Sequence, residues 1–281
     1  MLCHTRQGLV IDPNDGNYAI VRHQEVFLIM LLHRIRSFAF RPINRVLSAL
    51  VPMSEIQRIV YRKLSRNPEF SFSGQGLPYF FHSYNDFGVT ERMIEIPIIK
   101  RYLEQASYQN VLEIGNVTNH YYDYFKQAFQ KKTTVDKFER AYDVINVDIR
   151  DYAPPAKYDF IFSISTFEHM DSDLGRNPHY QKGSSRLISV AADNMKYVGD
   201  ALLRDGGKFV VTAPLCYTHE WKETFYSNDL AKCGFASHRT YLFKRINELT
   251  WKQIPVEEGI NAPFDSYSPF RNYLSIVEFN K

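Results

Sequence analysis

Asn110-Val111-Leu112-Glu113-Ile114-Gly115 is a short apolar strand pattern that stops at a glycine, and the chain downstream repeats the theme. Thr133-Thr134-Val135-Asp136 reads as a second strand, Val144-Ile145-Asn146-Val147-Asp148 as a third, and Tyr158 to Ser165 as a fourth. A Gly206-Gly207 turn leads into a fifth, Lys208 to Thr212. Helices are expected between strands, over His120 to Phe129 and over Ser185 to Leu203, the latter turning Ile188, Ala192, Met195 and Leu202 inward. Near-continuous β-branched and aromatic strands alternating with helices predict an α/β fold, a doubly wound and mostly parallel sheet covered on both faces.

In such sheets ligands bind beyond the carboxyl ends of the strands, where strand order reverses. Glu113, Asp136 and Asp148 each stand at such an end, and 21 positions separate Gly115 from Asp136. That is close to the ~20 between a glycine turn and an acid that accepts from ribose hydroxyls. Three acids in phase on consecutive strands point to a nucleoside site. The absent G-x-G-x-x-G pattern argues against a nicotinamide dinucleotide, whose pyrophosphate needs that turn.

These residues resemble the class I S-adenosylmethionine-dependent methyltransferases. Val111-Leu112-Glu113-Ile114-Gly115 is similar to the family's first motif, Val135-Asp136 to its ribose-binding acid, and Asn146-Val147-Asp148-Ile149 to its adenine-binding strand end. Tyr158 to Ile161 with Ser165-Thr166-Phe167-Glu168-His169 resembles the fourth strand and its loop, and Leu202 to Pro214 the segment through the fifth. The resemblance implies a Rossmann-like methyltransferase domain over 95–281, with S-adenosyl-L-methionine bound by Glu113, Gly115, Asn116, Asp136, Asp148, Ile149 and Ser165. The first loop departs from the family pattern, since only Gly115 remains in Gly115-Asn116-Val117-Thr118-Asn119. A sulfonium nucleoside carries no phosphate, so that loss harms this reading less than a dinucleotide one.

The expected chemistry is transfer of a methyl group to a hydroxyl of a sugar, a glycan or another small molecule. His169, after the fourth strand, is the leading general base, with Glu168 beside it. A divalent metal on His169, Asp171, Asp173 and His179 is a lesser alternative, and no metal site is assigned. The rival readings are N-methyl or aminopropyl transfer, and a non-catalytic scaffold that kept the fold.

Residues 1–94 are read as a helical and hairpin accessory segment serving as lid, oligomer contact or substrate contact. Between Arg22 and Arg66 nine Lys or Arg face two acids, a local balance of +7 within a chain of net +3. Apolar residues recur there at helical spacing, the pattern of an amphipathic helix that docks on anionic membrane or packs in a lid or homo-oligomer. Farther on, Phe70 to Phe81 reads as a hairpin turning at Gly74-Gln75-Gly76, and Thr90 as the cap of a helix that Pro97 kinks or delays. The aromatic stretch Tyr79 to Tyr84, the insertion Asp171 to Ser185 and the tail Phe264 to Tyr273 are candidate walls of an acceptor pocket. With 44% hydrophobic and 23% charged residues the composition is globular. Three unpaired cysteines argue for a reducing compartment, and the longest apolar run, Val26 to Leu32, is too short for a membrane span. A cytoplasmic protein is expected, peripheral at the inner membrane face if the basic segment docks. No basic groove with interleaved aromatics suggests a nucleic-acid acceptor.

Overall fold

The computed structural model describes residues 69–82, 84, 90–129, 131–170, 188–247, 249–264 and 272–281. The basic segment 22–66 and the insertion 171–185 lie outside them.

Eight strands form one sheet: β3 (Val111–Ile114), β4 (Lys132–Val135), β5 (Val144–Ile145), β6 (Tyr158–Ile164), β7 (Leu203–Pro214), β8 (Ser237–Asn247), β9 (Thr250–Ile254) and β10 (Tyr273–Asn280). Their order is β5-β4-β3-β6-β7-β10-β8-β9. The first five neighbours run parallel, whereas β10 is antiparallel to both β7 and β8, and β9 is antiparallel to β8. The chain therefore steps outward from β3 to β5 and returns to the other side of β3 as β6. The strand order reverses between β3 and β6, which places the ligand crevice of a doubly wound sheet over their carboxyl ends.

All five sequence-predicted strands are present. The third is shorter than its pattern: it ends at Ile145, and the Asn146 and Asp148 side chains hydrogen-bond in the loops around it. β8, β9 and β10 had no counterpart in the sequence reading.

All seven residues of β6 are buried, as expected for a strand covered on both faces. Alternation puts Phe160, Phe162 and Ile164 in one apolar cluster and Ile161 in the other, which Tyr158 joins across a register shift between Tyr158 and Phe160. The first cluster lies under the hairpin β1 (Glu69–Phe72) and β2 (Gln75–Pro78) and helix α1 (Arg92–Gln105); the second lies under α3 (Ile188–Tyr197) and α4 (His219–Tyr226). Between β3 and β4 runs a 3₁₀ turn, Thr118–Tyr121, followed by the short α2 (Tyr122–Phe125), less than the helix expected over 120–129. The hairpin turns at Ser73 and Gly74, both at positive φ, one residue earlier than expected. The predicted helix 185–203 is α3 continued by one π turn, Val198–Leu202.

Pro97 does not delay α1, which starts at Arg92 and carries the proline inside it. Its missing N–H would have bonded the Met93 carbonyl four residues earlier, and the Phe80 amide takes that acceptor instead, at 2.9 Å. This bond ties the end of the hairpin segment to the helix. Tyr79 and Phe81 are consequently buried against the sheet, with the Tyr79 hydroxyl on the Trp251 backbone, and do not line a cleft.

Candidate active site

Gly115, at the end of β3, has φ 92°, which only glycine adopts without strain. A Cβ there would stand 2.1 Å from the Thr166 hydroxyl. The loop after β3 thus meets the loop after β6 at the one position where the first motif kept its glycine.

The rest of the first loop is held by a buried carboxylate. Glu113 accepts from the amides of Val117 (3.0 Å) and Thr118 (2.6 Å), from the Thr118 hydroxyl (2.6 Å) and from the Lys132 ammonium (2.6 Å). Lys132 also donates to Thr118 Oγ1 and Asn119 Oδ1. Glycines would have let the backbone curl freely; here a charge-assisted network fixes the curl.

Asp136, one residue past β4, accepts from three backbone amides: Asn116 at 2.9 Å on Oδ2, and Phe138 (2.8 Å) and Glu139 (2.7 Å) on Oδ1. Asn146 closes the same turn by donating to the Asp136 and Glu139 carbonyls. Asp148 binds the Arg150 guanidinium through both oxygens and Lys137 at 3.3 Å. The hydrogen bond from Arg150 holds its carboxyl well below the usual carboxylate range, against the upward push of burial.

On the opposite wall β6 ends at Ile164, and Ser165 follows at φ 42°, a strained conformation for serine. Its hydroxyl donates to Glu95 Oε1 at 2.8 Å, which also accepts from Thr212 at 2.7 Å; Glu95 Oε2 receives Arg92 at 2.5 Å. Glu95 is fully buried. Glu168 is buried as well, and its Oε2 has no hydrogen-bond partner. Burial, then the nearby Glu95 and Glu91 carboxylates, push Glu168 well above the usual carboxylate range, against its own backbone N–H and Arg92. His169 Nε2 lies 3.8 Å from Glu168 Oε1, and its ring meets Tyr217 edge to face at 4.7 Å.

Between these walls opens a cleft of about 360 Å³. Gly115, Asn116, Asp136, Asp148, Ile149, Ser165 and His169 all line it, together with Lys137, Glu139, Arg150, Thr166, Met170 and Asn194. Glu113 and Glu168 do not: the first lies beneath the loop it organises, the second behind His169. Residues the sequence reading did not single out are Glu95, Glu139, Lys132 and Arg150. Only Glu139 and Arg150 carried a signal, being charged residues within three positions of a strand-end acid. Among the described residues no group of three His, Cys, Asp or Glu could hold a metal ion, and Asp171, Asp173 and His179 lie outside them. His219 opens α4 and meets the Phe264 ring at a tilt, centroids 3.5 Å apart, and neither lines the cleft. Cys216 and Cys233 are buried, and burial pushes the Cys233 thiol up to about 12, so Cys233 presents no thiolate. Among the described residues no helix is long and apolar enough to cross a membrane.

No family model matches the sequence, and no curated protein matches it. Solved structures do. The N-methyltransferase NodS from Bradyrhizobium japonicum WM9, in complex with S-adenosyl-L-homocysteine, is 12% identical with a TM-score of 0.42, covering 68% of this chain and 88% of that one. A SAM-dependent methyltransferase from Archaeoglobus fulgidus is 14% identical with a TM-score of 0.39, covering 66% and 93%. The YcgJ protein from Bacillus subtilis is 12% identical with a TM-score of 0.37, covering 66% and 96%.

Proposed function

We propose that this chain is an S-adenosylmethionine-dependent methyltransferase that methylates a hydroxyl of a sugar, a glycan or another small molecule. The observation that carries the reading is the cleft itself. It lies at the point where strand order reverses, and it joins a positive-φ glycine, two strand-end acids and an imidazole in one concavity. The strand ends supply what a sulfonium nucleoside needs: acidic groups for a ribose at Asp136, a polar and apolar edge for adenine at Asp148 and Ile149, and no phosphate cradle. When bound, the cofactor supplies an electrophilic methyl group.

The protein's own part is alignment and proton removal. Gly115 lets the first loop approach closely, Ser165 and Thr166 form the facing wall, and alignment of acceptor with methyl accounts for most of the rate gain, with effective molarities that reach ~10⁵ M or more. His169 stands on the wall after β6 and removes the acceptor hydroxyl proton, a contribution of about 10² to 10⁴. Residues 95–281 carry this chemistry in the cytoplasm. Residues 1–94 serve as an accessory segment, as lid, oligomer contact or substrate contact, and flotation with neutral and anionic vesicles at low salt tests whether the basic stretch 22–66 also docks on anionic membrane.

Titration of the full chain with S-adenosyl-L-homocysteine by calorimetry tests the central reading. Saturable one-to-one binding is the expected result, and no heat at high concentration would return the chain to the scaffold reading.

A further inference from the structure

We propose that Glu139, not Asp136 alone, is the carboxylate that grips the ribose diol of the bound nucleoside; the inference rests on the cofactor reading above. It follows from counting acceptor positions. A carboxylate offers about four lone-pair sites, two on each oxygen. Asp136 Oδ1 already receives two amides, Phe138 at 2.8 Å and Glu139 at 2.7 Å, and Oδ2 receives Asn116 at 2.9 Å. One site remains, whereas a vicinal diol brings two O–H donors. Asp136 is occupied in shaping its own turn.

Glu139 stands differently. Its Oε1 accepts from Asn116 Nδ2 at 2.8 Å and faces His120 Nε2 at 3.0 Å, which anchors the side chain on the rim of the cleft. Among the described residues its Oε2 makes no hydrogen bond, so both of its sites are open there. The anchor is itself braced, because His120 stacks on Tyr84 at 4.1 Å and Asn116 is held through Asn119 at 2.6 Å. A carboxylate fixed by one oxygen and open at the other, at the edge of a nucleoside cleft, is preorganised for a pair of hydroxyl donors.

Glu139→Gln is the informative change. The glutamine oxygen has to stay with Asn116 and His120, so the amide NH₂, a donor, turns toward the diol where an acceptor is needed. Calorimetry with S-adenosyl-L-homocysteine should then show at least a tenfold loss of affinity, with the melting temperature unchanged. Adenosine and 2′,3′-dideoxyadenosine, measured by competition, separate recognition from structure: the variant should lose affinity for adenosine and keep that for the dideoxy compound. Equal losses for both nucleosides, or affinity for S-adenosyl-L-homocysteine within twofold of wild type, overturn the assignment while leaving the cofactor reading intact. Wild-type protein that fails to bind S-adenosyl-L-homocysteine overturns both.

Discussion

The Ser165 hydroxyl and the Glu95 carboxylate meet at 2.8 Å across a sequence separation of 70 residues, joining α1 to the wall of the cleft. Glu95 therefore does for the loop after β6 what Glu113 does for the loop after β3. Each is a buried carboxylate that spends its lone pairs on fixing a backbone conformation the local residues would not choose. Glu95→Ala leaves the Arg92 charge without its partner and two hydroxyls without their acceptor. The expected cost sits near the lower end of the ~3–5 kcal/mol seen when a buried pair is broken, since Arg92 keeps some exposure. Urea unfolding of the variant measures it, and a loss below about 1 kcal/mol would show that Ser165 holds its φ without help.

Gly115→Ala should be felt in binding before stability. The side chain imposes a strain of about 1–3 kcal/mol at φ 92° and drives into Thr166. The two loops must part to admit it, which distorts the cleft from both sides. Affinity for S-adenosyl-L-homocysteine should fall tenfold or more, and calorimetry that finds it intact would mean the cofactor does not approach this loop.

Glu168 makes a prediction with a definite sign. Its folded-state value lies above the ~4.3 of an unfolded glutamate, so the folded chain holds a proton that the unfolded chain releases. The linked stability is complete below about pH 4.3 and declines as pH rises toward the folded value. Glu168→Gln removes that decline, so the variant should gain on wild type in urea midpoint between pH 4.5 and pH 8. Parallel curves for the two proteins would place a charged Glu168 in the folded state.

His169→Ala should leave binding of S-adenosyl-L-homocysteine within about twofold and lower kcat by about 10² or more, because a general base matters chiefly in the transition state. Release of S-adenosyl-L-homocysteine across a panel of hydroxylated acceptors gives the readout. A variant with near-normal turnover would remove His169 from the reaction.

The parallel half of the sheet was legible because buried strands announce themselves: Val111 to Ile114 and Tyr158 to Ile164 are almost wholly apolar and end in Gly115 and Ser165. β8 was not, since Ser237-His238-Arg239-Thr240 begins it with four polar residues and its apolar part, Leu242 and Phe243, is brief. The cleft residues Gly115, Asp136, Asp148 and His169 were legible from their places at strand ends. Glu95 was not, because an acid in the first turn of a helix ordinarily reads as a partner of the helix dipole. Nothing local shows that tertiary packing carries it to Ser165. Glu139 was hidden for a related reason: its role depends on which of two neighbouring carboxylates the backbone consumes, and that is decided only by the turn geometry.

β10 lies between β7 and β8 although it follows both in the chain. During synthesis the β8–β9 hairpin emerges with an open edge and no neighbour, and so does the far edge of β7. Neither can complete its ladder until residues 273–280 leave the ribosome. The parallel half, β3 to β7, can assemble earlier, but the antiparallel half is obliged to wait, and while it waits two strand edges of adjacent elements are exposed to other nascent chains. The yield of native protein should therefore depend on how quickly residues 273–280 reach the gap between β7 and β8.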